Sequence, residues 1–173
     1  MPETWAKGYT GAFGVAATII TGWAILGGVV LLAVVIMNVA SVIGGVVWVP
    51  FPGDFEMTEI GVAVAAFAFL PYCQLTDANV TADIFTANAG RRTIAFFKLL
   101  ASIVALLFAG LLLWKMTEGM GNQREYGYTT AILQFPTWTA FVPILVSLAL
   151  LVFASFVTLI ENGRTVTRRT FHD

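Results

Sequence analysis

Charged residues are so sparse in this chain that the gaps between them outline its architecture. No Asp, Glu, Lys or Arg occurs between Lys7 and Asp54, Glu59 and Asp77, Lys98 and Lys115, or Glu125 and Glu161. A helix needs about 20 mostly apolar residues to cross a hydrocarbon core roughly 30 Å thick. The second and third gaps therefore fit one spanning helix each, with polar residues at their ends near the headgroups. The composition agrees, with 58% of the 173 residues hydrophobic and only 11% charged. A soluble domain runs near about 45–50% apolar and about 25% charged. So few charges cannot solvate a globular surface, and the chain reads as an all-α integral membrane protein.

The two long gaps require a decision about hairpins. In the first, Ala12 to about Val39 is one unbroken apolar run, followed by Gly44-Gly45, Trp48, Pro50, Phe51, Pro52 and Gly53. Proline and glycine interrupt helices and aromatics favour the interface, so 41–56 reads as an interfacial loop. In the last gap, Tyr126-Gly127-Tyr128-Thr129-Thr130 leads to Phe135-Pro136-Thr137-Trp138. Proline suits the first position of a helix, where its missing N–H has no intrahelical role. The reading is a single domain over 1–173 with four spans, near 12–39, 57–76, 94–116 and 137–160. The first run far exceeds the apolar region of a signal peptide, about 7–15 residues, and is read as a retained helix.

With four spans, Lys7, Arg91, Arg92, Arg164, Arg168 and Arg169 share one face, with Lys98 at its edge, against Lys115 and Arg124 on the other. This excess of positive charge places both termini in the cytoplasm. Between the second and third spans, Val80, Ile84 and Phe85 form a narrow apolar stripe away from Asp77, Asn79 and Asp83. That pattern predicts a short amphipathic helix on the cytoplasmic surface, about 77–90, with Arg91, Arg92 and Lys98 against lipid headgroups.

The centres of the spans hold no ionisable side chain, although such groups mark proton relays, ion paths and substrate sites in membranes. No cluster of His, Cys or paired carboxylates suggests catalysis, a metal centre or a cofactor. Cys73 is the only cysteine, and His172 alone cannot supply the paired ligands of a membrane haem. The near balance of nine basic and ten acidic residues gives no field for nucleic acid. Gly14, Thr18 and Gly22, with Gly27 and Gly28 beyond, offer small residues for close helix approach, within this chain or to another subunit. Asp54, Glu56 and Glu59 either complement the start of the second helix or meet a basic patch on a partner.

In this order, the pieces resemble the small membrane subunit, the Q-type subunit, of tripartite ATP-independent periplasmic (TRAP) transporters. The resemblance rests on the four-helix plan, on Glu56 or Glu59 opening the second helix, on Asn79-Val80-Thr81-Ala82-Asp83 after it, and on Pro136-Thr137-Trp138, followed by Pro143, before the last helix. Asn79 stands where the family pattern has histidine, and Pro50-Phe51-Pro52 lengthens the first link. The resemblance implies a bacterial inner-membrane scaffold subunit of a sodium-coupled importer of organic acids, working without ATP hydrolysis. Its partners would be a large elevator-type transmembrane subunit, which carries the substrate and sodium sites, and a periplasmic substrate-binding protein. Asp54, Glu56, Glu59, Arg124, Glu125 and Tyr128 would border the docking site of a partner. Two rivals remain open at this level: a self-sufficient homodimeric transporter, and a four-helix membrane anchor or assembly protein.

Overall fold

The structure, a computed structural model, describes residues 12–76 and 91–170. Four helices account for most of them: α1 (Ala12–Val47), α2 (Asp54–Leu75), α3 (Arg91–Glu125) and α4 (Trp138–Thr170). All four are long and apolar enough to cross a membrane, over Gly14–Val47, Asp54–Leu75, Leu99–Glu125 and Trp138–Ile160. In lipid the backbone must satisfy its own hydrogen bonds, which a helix does within one segment. That requirement overrides the preference of the many valines and isoleucines for strands.

The helices form a row rather than a closed bundle. α1 packs on α2, α2 on α4, and α4 on α3, so α1 and α3 stand at opposite ends. The buried apolar positions are correspondingly few and mostly small, among them Ala65, Ala68, Ala109 and Ala154, with Ile20, Ile144 and Leu148 the largest. Lipid tails are as apolar as leucine, so close approach and interhelical hydrogen bonds hold such helices together. A Cβ on Gly27 would lie 2.7 Å from Cβ of Ala68, and one on Gly61 would run into Val34. The polar ties are Trp23 Nε1 donating to Ser147 Oγ at 2.8 Å, Asn38 Nδ2 to Thr58 Oγ1 at 2.7 Å, and Gln74 Nε2 to Thr158 Oγ1 at 3.2 Å.

These contacts set the heights of the helices. Gly27 sits opposite Ala65 and Ala68, Val34 opposite Gly61, and Ser41 against Asp54. Ser41 is therefore level with the start of α2, and α1 continues six residues further to Val47, roughly 9 Å. On that extension Val42, Ile43, Val46 and Val47 are exposed, and Trp48 just beyond it is 87% exposed.

Two of the expected boundaries are corrected. The first helix does not end at 39 but runs through Gly44-Gly45 to Val47, which leaves only 48–53 of the expected 41–56 loop outside a helix. Glycine is tolerated in a helix within lipid, and no residue from Ala12 to Val49 lacks an N–H. Gly44 has a role in the turn: a Cβ there would lie 2.6 Å from the Val49 carbonyl oxygen, while the Trp48 N–H closes the last turn on Gly44. The third helix likewise passes 116 and takes in 117–125, although these residues are polar. Apolarity ends at the membrane surface, but helical hydrogen bonding does not. The expected surface helix at 77–90, with Asn79 and Asp83, lies outside the described residues.

Candidate functional site

At one end of the row, the 48–53 turn and the segment between α3 and α4 fold onto each other. The second segment is a small hairpin. Thr129 and Pro136 form an isolated antiparallel bridge, the Thr130 N–H donates to the Phe135 carbonyl at 2.9 Å, and the Thr137 N–H donates to the Tyr128 carbonyl at 3.1 Å. Gly127 and Gln134 take left-handed conformations, φ 63° and 56°, that reverse the chain at its base and near its tip. The Thr130 hydroxyl accepts the Phe135 N–H at 3.0 Å, and Thr137 Oγ1 donates to Gln123 Oε1 at 2.7 Å, tying the hairpin to α3.

The first turn of α2 holds the tip of this hairpin. Glu56 Oε1 accepts the Ile132 N–H at 2.7 Å and Oε2 the Leu133 N–H at 3.1 Å. A carboxylate accepting two backbone N–H groups makes charge-assisted bonds, and it also lies where the N-terminal end of the helix favours negative charge. Leu133 is brought down against Gly53, whose φ of +80° and lack of a side chain leave room for it. Beside this clamp, buried Ser41 Oγ donates to Asp54 Oδ2 and accepts the Phe51 N–H at 3.2 Å, while Asp54 Oδ1 accepts the Phe55 N–H at 2.7 Å.

The six residues expected to face a partner thus separate into two kinds. Asp54 and Glu56 spend their carboxylates inside the chain. The Arg124 guanidinium sits 5.5 Å from the ring centre of Trp138, the first residue of α4, and Tyr128 pairs with Tyr126 at 5.9 Å. Glu59 and Glu125 are exposed and take no hydrogen bond or ion pair among the described residues. Pro136 lies in the hairpin bridge. Arg91, Arg92 and Lys98 fall in the first turns of α3, with side chains outside the described set. Lys115, on the same helix, pairs with Glu118 at 2.8 Å.

The small-residue stripe on α1 divides as well. Gly27 is buried in the α1–α2 contact and a Cβ on Gly28 would lie 3.9 Å from the Phe69 ring, whereas nothing lies within 4 Å of a Cβ on Gly22. Thr18 is exposed, with its hydroxyl bonded back to the Gly14 carbonyl at 3.0 Å. Sequence reasoning missed Asn38, Ser41, Thr58 and Trp23 as structural ties. A polar side chain inside an apolar run was the available signal for Asn38 and Ser41, since a buried polar group needs a partner.

Two grooves open beneath the hairpin. One, about 720 Å³, runs along the α1–α2 seam with Val30, Val34, Met37, Met57, Leu133 and Phe135 in its walls. The other, about 390 Å³, lies between α2 and α4 and includes Glu59. No group of His, Cys, Asp and Glu able to hold a metal ion occurs among the described residues.

No curated protein and no solved structure matches this chain. A family model does, that of the DctQ component of tripartite ATP-independent periplasmic transporters, over residues 34–165. The match takes in the last part of α1 with its ties to α2, the Glu56 clamp, the hairpin and most of α4, well over half of the chain. The chain therefore belongs to the DctQ family and is a multi-pass inner-membrane component of a tripartite ATP-independent periplasmic transporter.

Proposed function

We propose that the chain is the non-catalytic scaffold subunit of a sodium-coupled importer of organic acids. Its helices would extend the fixed frame against which a large elevator-type transmembrane subunit moves. Both termini would lie in the cytoplasm, so that the hairpin end faces the periplasm, where a soluble binding protein delivers substrate.

The observation that carries this reading is the unpartnered apolar surface of α1. The helix packs mainly on α2, with Trp23 hydrogen-bonded to Ser147 of α4, and its apolar span Gly14–Val47 holds 34 residues. That is roughly 51 Å of helix, against a hydrocarbon core of about 30 Å. The bonds from Asn38 to Thr58 and Ser41 to Asp54 prevent α1 from tilting independently of α2, whose 22 residues match the core. The exposed Val46 and Val47 then stand beyond the start of α2 by more than the headgroup layer, which is about 5–7 Å deep. An apolar surface at that height suits a protein neighbour, because soluble surfaces rarely leave large apolar patches uncovered. A partner with its own chemistry also agrees with the lack of charged groups at the centres of the spans.

The test is purification of the tagged chain from its native membrane in mild detergent, followed by reconstitution with whatever co-purifies. A stoichiometric large polytopic partner is expected, together with organic-acid uptake that requires that partner, the binding protein and a sodium gradient. Recovery of the small chain only as a homo-oligomer that transports by itself would overturn the proposal.

A further inference from the structure

Of the three acids at the start of α2, the fold leaves one unused. Asp54 is bonded to Ser41 and Glu56 to the hairpin amides, whereas Glu59 has no polar partner among the described residues. Its side chain is exposed in the isolated chain, beside a largely apolar groove. It stands, with Glu56, at the groove between α2 and α4, whose apolar walls are Ile60, Ala63, Ala140, Phe141 and Ile144. It lies five residues along α2 from Asp54, roughly 7 Å further into the helix whose 22 residues match the core. A carboxylate at that depth beside apolar walls is costly unless a cation meets it. The neighbouring cations are engaged elsewhere, Arg124 over Trp138 and Lys115 with Glu118.

We propose that this groove receives a basic side chain, Lys or Arg, from the large transmembrane subunit. The aliphatic stem would lie along Ile60, Ala63 and Phe141, and the charged head would meet the Glu59 carboxylate. The volume of about 390 Å³ suits a single long side chain. Thr130, Ala131 and Thr137 of the hairpin roof the groove, so its occupant enters from the plane of the bilayer. A membrane-embedded partner reaches it from that direction. A soluble protein would have to pass the hairpin, and a phospholipid would have to tuck its headgroup beneath it. The proposal rests on the scaffold reading and specifies where the large subunit is held.

The experiment co-expresses the tagged chain with the large subunit and reads the ratio of the two after purification in mild detergent. Wild type and Glu59→Asp are expected to retain the partner. Glu59→Gln should lower its recovery by roughly tenfold, because loss of one member of a desolvated charge pair leaves the other stranded. Glu59→Lys should abolish recovery. Helix content and size-exclusion profile of each variant alone check that it folds, and a second measurement bypasses that question. Photoreactive p-benzoylphenylalanine in place of Phe141 should crosslink in native membranes to a segment of the large subunit that carries Lys or Arg. An acidic replacement of that basic residue should restore the partner to Glu59→Lys. Unchanged recovery with Glu59→Gln and Glu59→Lys overturns the proposal, as do crosslinks confined to lipid, to the binding protein or to a second copy of the chain. If wild type itself recovers no large subunit, the scaffold reading has failed and this site falls with it.

Discussion

Glu56 shows how one side chain can fix a loop that sequence reasoning assigns to a partner. Its two oxygens hold the Ile132 and Leu133 amides, so hairpin and helix start move as one piece. Glu56→Gln keeps the shape but removes the charge and one acceptor. Hydrogen exchange at the Ile132 and Leu133 amides is therefore expected to quicken, with amides in the middle of α4 unchanged. Equal rates in both proteins would show that the hairpin stands without the clamp. Gly53 is the other half of this contact. Alanine there would adopt a left-handed conformation and bring its Cβ within 2.5 Å of the Leu133 Cγ. The backbone term alone is about 1–2 kcal/mol, so Gly53→Ala should lower stability in micelles by at least that order. The acids at 54, 56 and 59 were legible as candidates, but which were free was not. That depends on residues 13 and 76 positions away in the chain, Ser41 and Ile132.

For the helices, what mattered was which small residues touch a neighbour. Gly22 and Gly27 both belong to the small-residue stripe on α1, yet only Gly27 has Ala68 pressed against it. Gly27→Ala is expected to destabilise the α1–α2 pair by about 1–2 kcal/mol, as overpacking outweighs the better helix preference of alanine. Gly22→Ala should be neutral or slightly stabilising. Measured unfolding free energies in micelles that rank the two the other way would refute the assigned contact. Trp23→Phe removes the donor to Ser147, whose hydroxyl still donates to the Pro143 carbonyl at 2.8 Å. Its cost should stay near about 0.6–1.7 kcal/mol, the range for single hydrogen bonds between membrane helices. The existence of all four helices was legible from the charge gaps. Their ends were not, since α1 and α3 continue past the membrane boundary that hydropathy detects.

For the molecule as a whole, the open row is the decisive property. A closed bundle would hide its small faces, whereas this row leaves the flanks of α1 and α3 available and raises the tip of α1 beyond its neighbour. If that tip meets the large subunit, Val46→Asp with Val47→Asp should leave the isolated chain folded, because both side chains are exposed. The same pair should sharply reduce recovery of the large subunit. Full recovery with the double variant would mean that the tip stands free in the assembled transporter, and attention would shift to α3. The Val46 and Val47 pair and the Glu59 groove probe separate surfaces, so the two experiments together report whether the partner wraps around the hairpin end.

The sequence by itself determined that this chain lives in a membrane, that it carries four stretches long and apolar enough to cross it, and that none of these has an ionisable group at its centre. These follow from the cost of charge in hydrocarbon and from the length a helix needs to cross it, both of which act on local stretches of chain. Only the tertiary structure decided that the helices stand in a row, that Gly27 rather than Gly22 is the close contact, and that Glu56 is an internal clamp while Glu59 has no polar partner among the described residues. In lipid every apolar face is equally comfortable, so hydrophobicity does not say which faces meet. The choice falls to shape complementarity and to a few hydrogen bonds between residues far apart in sequence, which exist only once the chain has folded.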